Sequence, residues 1–285
     1  MKTGLVLEGG GMRGMFSVGV TDVLMEHGLF FDGIIGVSAG AAFGCNVKSR
    51  QKGRAIRYNT KYCDDPRFCS FRSLRKTGDL FSTEFCYWDV PVNRDPFDFK
   101  TFRATPEPFY VVCTDVRTGK AVYHRCGQNE SDRELLDWIR ASASMPLVSN
   151  VVSVGGYELL DGGIADSVPL RFFEKAGYAK NVVVLTQPAS YVKGKNKALP
   201  LLRITERKHP ELLKTLAERH HVYNDAVAYV RRRAEAGAAF VIQPPFPLDV
   251  GRVEHNREKL LRAYGAGRKT AESRLKALED FLKTD

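Results

Sequence analysis

Short apolar runs separated by helical stretches dominate the first 190 residues. The runs at 5–7 and 33–37 each end in a turn of small residues, and a helix is expected after each turn. A further run of this kind lies at 182–185. Strands that alternate with helices in this way predict an α/β fold, in which helices cover both faces of a mostly parallel central sheet.

The central part of the chain predicts antiparallel additions to that sheet. Alternating and β-branched positions indicate two strands at 109–113 and 121–124. Two more short strands, 151–154 and 157–160, flank a pair of glycines, which is a hairpin turn signal. We therefore expect a strand pair and a hairpin between the two outer strand–helix regions.

Two segments depart from the strand–helix pattern. Residues 60–104 are rich in Arg, Pro, Asp and aromatics, and we expect an irregular cap there. Residues 191–285 are expected to form a mainly helical extension that packs on the domain 1–190, with one further strand near 239–242. No flexible linker divides the two parts.

The chain is basic, with 43 Lys and Arg against 33 Asp and Glu and a formal charge of +10. Such a field attracts anionic partners, although a solvated basic surface accounts for it equally well. Clusters near 203–219 and Arg231-Arg232-Arg233 lead us to expect peripheral contact with an anionic membrane, and we expect no nucleic acid.

Six cysteines are scattered without the spacing of a metal site or a disulfide framework. The N-terminal apolar run is too short for a signal peptide, and no run approaches the ~20 residues of a spanning helix. We therefore expect a cytoplasmic protein with free thiols.

The first candidate for chemistry is the segment Gly36–Gly40, which matches G-x-S-x-G around Ser38. This pattern places a serine on a sharp strand-to-helix turn and exposes its hydroxyl group. An apolar strand precedes Ser38 and a small-residue helix follows it, as the pattern requires. Ser38 is the predicted nucleophile, with Gly36 and Gly40 allowing the close turn.

The second candidate is the glycine loop Gly9–Gly14 after the first strand. One interpretation is dinucleotide binding, but the second strand ends at Ser38 rather than at the acidic residue that holds a ribose. The other is an oxyanion hole, in which backbone N–H groups at a helix N-terminus face developing negative charge. The residues assigned to this oxyanion hole are Gly9, Gly10, Gly11, Arg13 and Gly14.

A nucleophilic serine needs a base. None of the six histidines follows a strand in a short loop, whereas Asp161 ends a predicted strand and is followed by Gly162 and Gly163. An aspartate is a weak base at its reference pKa near 3.9, so burial or a strong hydrogen bond to the serine must compensate. Asp161 is the predicted base.

The three motifs, in this order, resemble those of the patatin-like phospholipase family, and the likeness covers roughly residues 4–190. The chain looks most like the bacterial, cytosolic-type branch. The resemblance implies a three-layer α/β/α catalytic domain, a Ser–Asp dyad without histidine, and ester hydrolysis through an acyl-enzyme without metal or cofactor. It also implies that the amides of Gly10 and Gly11 hold the oxyanion and that Arg13 steadies the loop.

The leading hypothesis is thus a serine acyl hydrolase of the lipid esterase or phospholipase A type. An acyl-CoA thioesterase or acyltransferase with the same dyad is the first alternative. A non-catalytic nucleotide-binding or regulatory protein that uses the glycine loop is the second.

Overall fold

The computed structural model describes residues 1–127 and 129–283. Within them, eight strands form one sheet: β1 Thr3–Leu7, β2 Gly33–Val37, β3 Phe109–Asp115, β4 Ala121–Cys126, β5 Val152–Val154, β6 Tyr157–Asp161, β7 Lys180–Val184 and β8 Ala239–Ile242. The same residues contain ten α-helices: α1 Gly14–Glu26, α2 Ala39–Lys48, α3 Arg54–Tyr62, α4 Phe71–Thr77, α5 Phe99–Ala104, α6 Asp132–Ser142, α7 Leu170–Lys175, α8 Leu199–Thr205, α9 Pro210–Glu235 and α10 Arg257–Lys283.

The strand order is β5-β6-β3-β2-β1-β7-β8, and β4 also pairs with β3. Strands β3, β2, β1, β7 and β8 are mutually parallel, while β4, β5 and β6 are antiparallel additions. The mostly parallel sheet predicted from the apolar runs is confirmed. β8 pairs in parallel with β7, so a strand from the C-terminal half is part of the central sheet.

Helices cover both faces of this sheet because successive strand residues point to opposite sides. Leu5 and Leu7 pack in a core with residues of α1, α2, α6 and α10. Val6, between them, packs with Phe173 of α7 and Val227 of α9 on the other face. This is the three-layer α/β/α arrangement that the family resemblance implied.

The predicted hairpin is formed by β5 and β6. Gly155 and Gly156 at its turn have φ values of 57° and 79°. Two successive left-handed residues define the type I′ turn, which glycine adopts without strain.

The expectation of an irregular segment over 60–104 is wrong in part. The segment contains α4, α5, the end of α3 and a wide helical stretch, Phe85–Arg94. The two N-cap signals lay in the sequence: Ser70 Oγ accepts the amide of Ser73, and Asp98 Oδ1 accepts that of Thr101 at 2.8 Å. Short helices around Pro91 do not produce the long 3.6-residue periodicity by which helices are recognised.

The edge pairing of β3 brings two distant segments together. β4 occupies one edge of β3 from Phe109 to Thr114, so β2 and β6 must share the other. The β2 pairing ends with Val37 opposite Val112, and the β6 pairing begins with Asp161 opposite Cys113. The ends of β2 and β6 therefore meet on consecutive residues of β3.

Helix α10 packs directly on α1 through glycines. An added Cβ at Gly19 would lie 2.1 Å from the carbonyl oxygen of Tyr264, and one at Gly267 would lie 2.0 Å from that of Phe16. These distances leave no room for a side chain, so the two helix backbones touch at these positions.

We expect Gly267→Val to lower the free energy of unfolding by about 1–3 kcal/mol, because the new side chain forces α10 away from α1. The matched control is Gly265→Ala on the open side of α10, where an added Cβ meets nothing within 4 Å. That change should raise stability by about 0.5–1 kcal/mol through helix propensity. Urea unfolding measures the free energy of unfolding of both variants. Equal changes in the two would contradict the close contact between α1 and α10.

Candidate active site

Ser38 lies between β2 and α2 in a conformation that side chains rarely adopt, with φ 55° and ψ −122°. Such a turn requires small neighbours. A Cβ at Gly36 would lie 2.4 Å from the oxygen of Gly40, and a Cβ at Gly40 would lie 2.4 Å from that of Leu7. The sequence therefore produces the strained strand-to-helix turn on which nucleophilic serines are presented.

A second serine anchors this turn. Ser142, at the end of α6, accepts the Ser38 amide at 2.8 Å and donates its own proton to the carbonyl oxygen of Val112 at 2.6 Å. Ser142 is fully buried. Its hydroxyl thus ties the turn to β3 in a place where water cannot replace it.

Asp161 is the hydrogen-bond partner of the Ser38 hydroxyl group. Ser38 Oγ donates to Asp161 Oδ2 at 2.6 Å, and both residues are buried, with 8% and 4% exposure. The other carboxylate oxygen, Oδ1, accepts the amide of Gly163 at 2.7 Å. Gly162 lies against β3, where an added Cβ would be 2.0 Å from the oxygen of Val112.

Burial raises the pKa of the Asp161 carboxyl above its ordinary value. The hydrogen bond from Ser38 and the positive charge of Arg219 act in the opposite direction. The net upward direction makes Asp161 a stronger base than a solvated aspartate, which is the compensation that the sequence argument required.

The glycine loop lies beside Ser38. An added Cβ at Gly9 would be 2.9 Å from the Cβ of Ser38, and one at Gly10 would be 2.7 Å from Thr186 Oγ1. Gly11 has φ 58° and begins a 3₁₀ turn that leads into α1. Within residues 1–127 and 129–283, the amides of Gly10 and Gly11 have no hydrogen-bond partner. They are free to bind an anion at the N-terminal end of a helix.

The other two residues assigned to the oxyanion hole, Arg13 and Gly14, lie at the end of the loop where it enters α1. Gly14 begins α1, and a Cβ there would lie 2.9 Å from that of Ala39, so it permits α1 to approach α2. Arg13 projects its half-buried side chain into a polar cleft that Ser38 and Asp161 also line.

Glu8 is a site residue that the sequence analysis did not identify. It is 3% exposed, and its carboxylate accepts the amide of Thr186 at 2.5 Å and the Tyr223 hydroxyl at 2.7 Å. Thr186 Oγ1 donates to the oxygen of Gly9 at 2.9 Å. Burial raises the pKa of Glu8. The available sequence signal was a charged residue between a buried strand and a glycine loop. The hydrogen bonds from Thr186 to Glu8 and to Gly9 hold the loop in place.

The histidines do not take part in this arrangement. In the described part of the chain, neither Ser38 nor Asp161 hydrogen-bonds to a histidine ring. The ring centres of His220 and His221 are 3.9 Å apart with the rings tilted by 38°, and His220 lines an open depression next to the site.

Ser38 also lines an apolar cavity of about 150 Å³. Most of its wall comes from α2, α6 and the segment 68–97, with aromatic and aliphatic side chains that include Phe43, Phe68, Phe81, Tyr87, Leu136 and Ile139. Asp161 faces the polar cleft and not this cavity. Ser38 therefore lies where an apolar and a polar compartment meet.

His124, Cys126 and Glu130 are grouped near the end of β4, with ligand atoms within 4.8 Å of one another. His124 Nε2 and Glu130 Oε1 are 2.6 Å apart, and the His124 ring stacks on Trp138. The group lines neither the apolar cavity nor the polar cleft, so it takes no part in the site around Ser38.

Residues 5–173 match the family model of the patatin-like phospholipases, and residues 209–283 match a domain of unknown function, DUF6363. The first match covers more than half of the chain, and the chain belongs to the patatin-like phospholipase family. Membership identifies it as a hydrolase of carboxylic ester bonds, and the family predicted from the resemblance is confirmed.

Similarity to individual proteins agrees with this assignment. The chain is 28% identical to the uncharacterized protein YjjU of Escherichia coli over 87% of this chain and 70% of that protein. It is 29% identical to the lysophospholipase NTE1 of Debaryomyces hansenii over 65% of this chain, but that stretch is only 12% of NTE1. VipD from Legionella pneumophila has a similar fold, with TM-score 0.50 and 12% identity over 97% of this chain and 67% of VipD.

None of the described helices is long and apolar enough to cross a membrane. The six cysteines are free thiols, as predicted.

We expect Ser142→Ala to lower the free energy of unfolding by about 1–3 kcal/mol, because it leaves the buried Ser38 amide without an acceptor. Ser144→Ala is the matched control. Among the described residues, Ser144 Oγ donates only to the carbonyl oxygen of Arg140, which also accepts the amide of Ala143. Urea unfolding should show the larger loss for Ser142→Ala, and the reverse order would rule out the anchoring role.

Proposed function

We propose that this protein is a serine acyl hydrolase for lipid acyl esters, of the lipid esterase or phospholipase A type, with Ser38 as nucleophile and Asp161 as base. The observation that carries the proposal is the 2.6 Å hydrogen bond between two buried groups, Ser38 Oγ and Asp161 Oδ2. A nucleophile bonded directly to a base of raised pKa needs no histidine between them.

In the proposed mechanism Asp161 takes the proton of Ser38 while Oγ attacks the acyl carbon. The unpartnered amides of Gly10 and Gly11 stabilise the oxyanion, and each such donor contributes about 3 kcal/mol in acyl transfer. Asp161 then gives its proton to the leaving alkoxide, and the alcohol departs from the acyl-enzyme. Water then gives a proton to Asp161 and attacks the acyl carbon of the ester at Ser38. Asp161 returns this proton to Ser38 Oγ as the acid departs, which restores the hydroxyl group.

The apolar cavity supports a lipid acyl chain as the substrate part that is held during reaction. Its aromatic and aliphatic wall is complementary to a hydrocarbon chain, whose burial contributes about 0.8 kcal/mol per CH₂ group. The lysophospholipase name of one relative agrees with such a substrate.

The alternatives differ in how well the site accommodates them. An acyl-CoA thioesterase or acyltransferase would use the same dyad and cavity, and acyl-CoA turnover relative to lipid esters distinguishes it. Nucleotide binding by the glycine loop is disfavoured, because Gly9 lies directly against Ser38 where a pyrophosphate would need room. Cytoplasmic location and peripheral membrane contact stay predictions.

We expect Ser38→Ala and Asp161→Asn to lower kcat for a p-nitrophenyl acyl ester on the order of 10⁴-fold. The control is Ser17→Ala, which removes a buried serine whose hydroxyl has no partner in the described residues. The readouts are kcat for ester hydrolysis by the folded variants and the labelling of each variant by a fluorophosphonate probe. Full activity in folded Ser38→Ala protein would overturn the proposal.

We expect kcat/KM to rise with pH as Asp161 loses its proton, because only the carboxylate accepts the proton of Ser38. Since burial raises this pKa, the midpoint should lie above the ordinary aspartate value of 3.8. Glu8→Gln is the control, since Glu8 is the other buried carboxyl of raised pKa at the site. A midpoint at or below 3.8, or a limb that disappears in Glu8→Gln, would contradict the assignment to Asp161.

A further inference from the structure

The polar cleft beside Ser38 contains four basic side chains. Arg13, Lys193, Arg219 and Arg252 line it, and its acidic residues are Glu8 and Asp161. Three of the four cations lie beyond residue 173, outside the match to the patatin-like phospholipase model. Two of them, Arg219 and Arg252, lie within the match to DUF6363.

These cations are not neutralised within the described residues. Among residues 1–127 and 129–283, no carboxylate forms an ion pair with any of the four. Arg219 Nε donates to the carbonyl oxygen of Gly163, and the Lys193 ammonium lies 4.2 Å from the centre of the Tyr223 ring. Arg13 Nε is buried and has no hydrogen-bond partner in the described part of the chain. The cleft thus holds an excess of positive charge.

This excess affects Lys193 directly. Burial lowers the pKa of Lys193 to about 7, and repulsion from Arg219 and Arg252 acts in the same direction. A bound anion would offset both effects, because it adds negative charge to that of Glu8, which by itself does not outweigh them.

The cleft lies on the leaving-group side of the nucleophile. Gly11, Ser38 and Arg252 line both the cleft and the apolar cavity. Asp161, Lys193, Arg219 and Arg252 line both the cleft and a wider, open depression. An acyl chain in the apolar cavity therefore leaves the alcohol half of an ester to extend past the cations toward solvent.

We propose that Lys193, Arg219 and Arg252 form a subsite for a phosphate group on the alcohol half of the substrate. The inference rests on the proposed function and deepens it. A guanidinium group can donate two parallel N–H···O hydrogen bonds to a phosphate group, and such charged hydrogen bonds are stronger in a partly buried site. A net-anionic head group is thus favoured over a neutral one, and a zwitterionic group is disfavoured because its own cation faces surplus positive charge.

The kinetic test compares three substrates with one acyl chain: a lysophosphatidic acid, a lysophosphatidylcholine and a monoacylglycerol. The double variant Lys193→Met/Arg252→Gln leaves Arg219 in place because it contacts the loop of Asp161. We expect the wild-type protein to prefer the phosphate monoester at least tenfold in kcat/KM over the monoacylglycerol. The variant should reduce that ratio at least tenfold, through a higher KM for the phosphate substrate.

The matched control is Arg72→Gln/Lys100→Met, which removes the same charge from exposed positions that line neither the cleft nor the cavity. Its ratio should equal that of the wild type. An equal fall of this ratio in both double variants would show a general effect of net charge and overturn the subsite. A wild-type protein that does not prefer the phosphate monoester would also overturn it. A fourth substrate, an acyl-CoA with the same acyl chain, distinguishes a phospholipid from a phosphate-bearing thioester as the substrate, by its kcat/KM relative to that of the lysophosphatidic acid.

A binding test separates this subsite from the catalytic proposal. Ser38→Ala protein should bind dodecyl phosphate at least tenfold more tightly than dodecylphosphocholine, below their micellar concentrations, in titration calorimetry. Adding Lys193→Met/Arg252→Gln should remove the difference. If no ester is hydrolysed but this preference is found, the proposed function fails and the subsite stands; equal binding of both ligands overturns the subsite whatever the activity.

Discussion

One edge of β3 carries two strands in succession, and the geometry of the site depends on this arrangement. β2 leaves the edge at Val112 and β6 takes it up at Cys113, because β4 already occupies the other edge. The residue after β2 is Ser38, and the last residue of β6 is Asp161. Backbone pairing therefore places two side chains that are 123 residues apart within hydrogen-bond distance.

The surroundings of this junction give the two side chains their chemical character. Ser142 ties the strained turn to β3, and glycines at 36 and 40 remove the side chains that would prevent it. Burial raises the pKa of Asp161, while the amide of Gly163 satisfies its second oxygen. A charged group this deeply buried is tolerated because each oxygen has a donor.

Different parts of the chain build the compartments on either side of Ser38. The segment 68–97 contributes much of the apolar wall, and residues from Lys193 to Arg252 contribute most of the positive charge of the cleft. The central sheet positions Ser38 and Asp161, while the segments added to it form the walls of the compartments around them. Such a division is common in α/β proteins, where a rigid scaffold holds the reacting groups and variable segments determine specificity.

The amino-acid sequence alone determined the α/β class, the strand–helix order and the positions of Ser38, Asp161 and the glycine loop. These features are local, because a turn that needs small residues leaves its mark in neighbouring positions. Ser142 and the cations Lys193, Arg219 and Arg252 could not be found in this way, since nothing near them in sequence records what they contact. Glu8 carried one local signal, a charge between a buried strand and the glycine loop, but its partners Thr186 and Tyr223 are distant in sequence. Their roles, and the short helices of 60–104, follow from burial and long-range pairing, which only the tertiary structure decides.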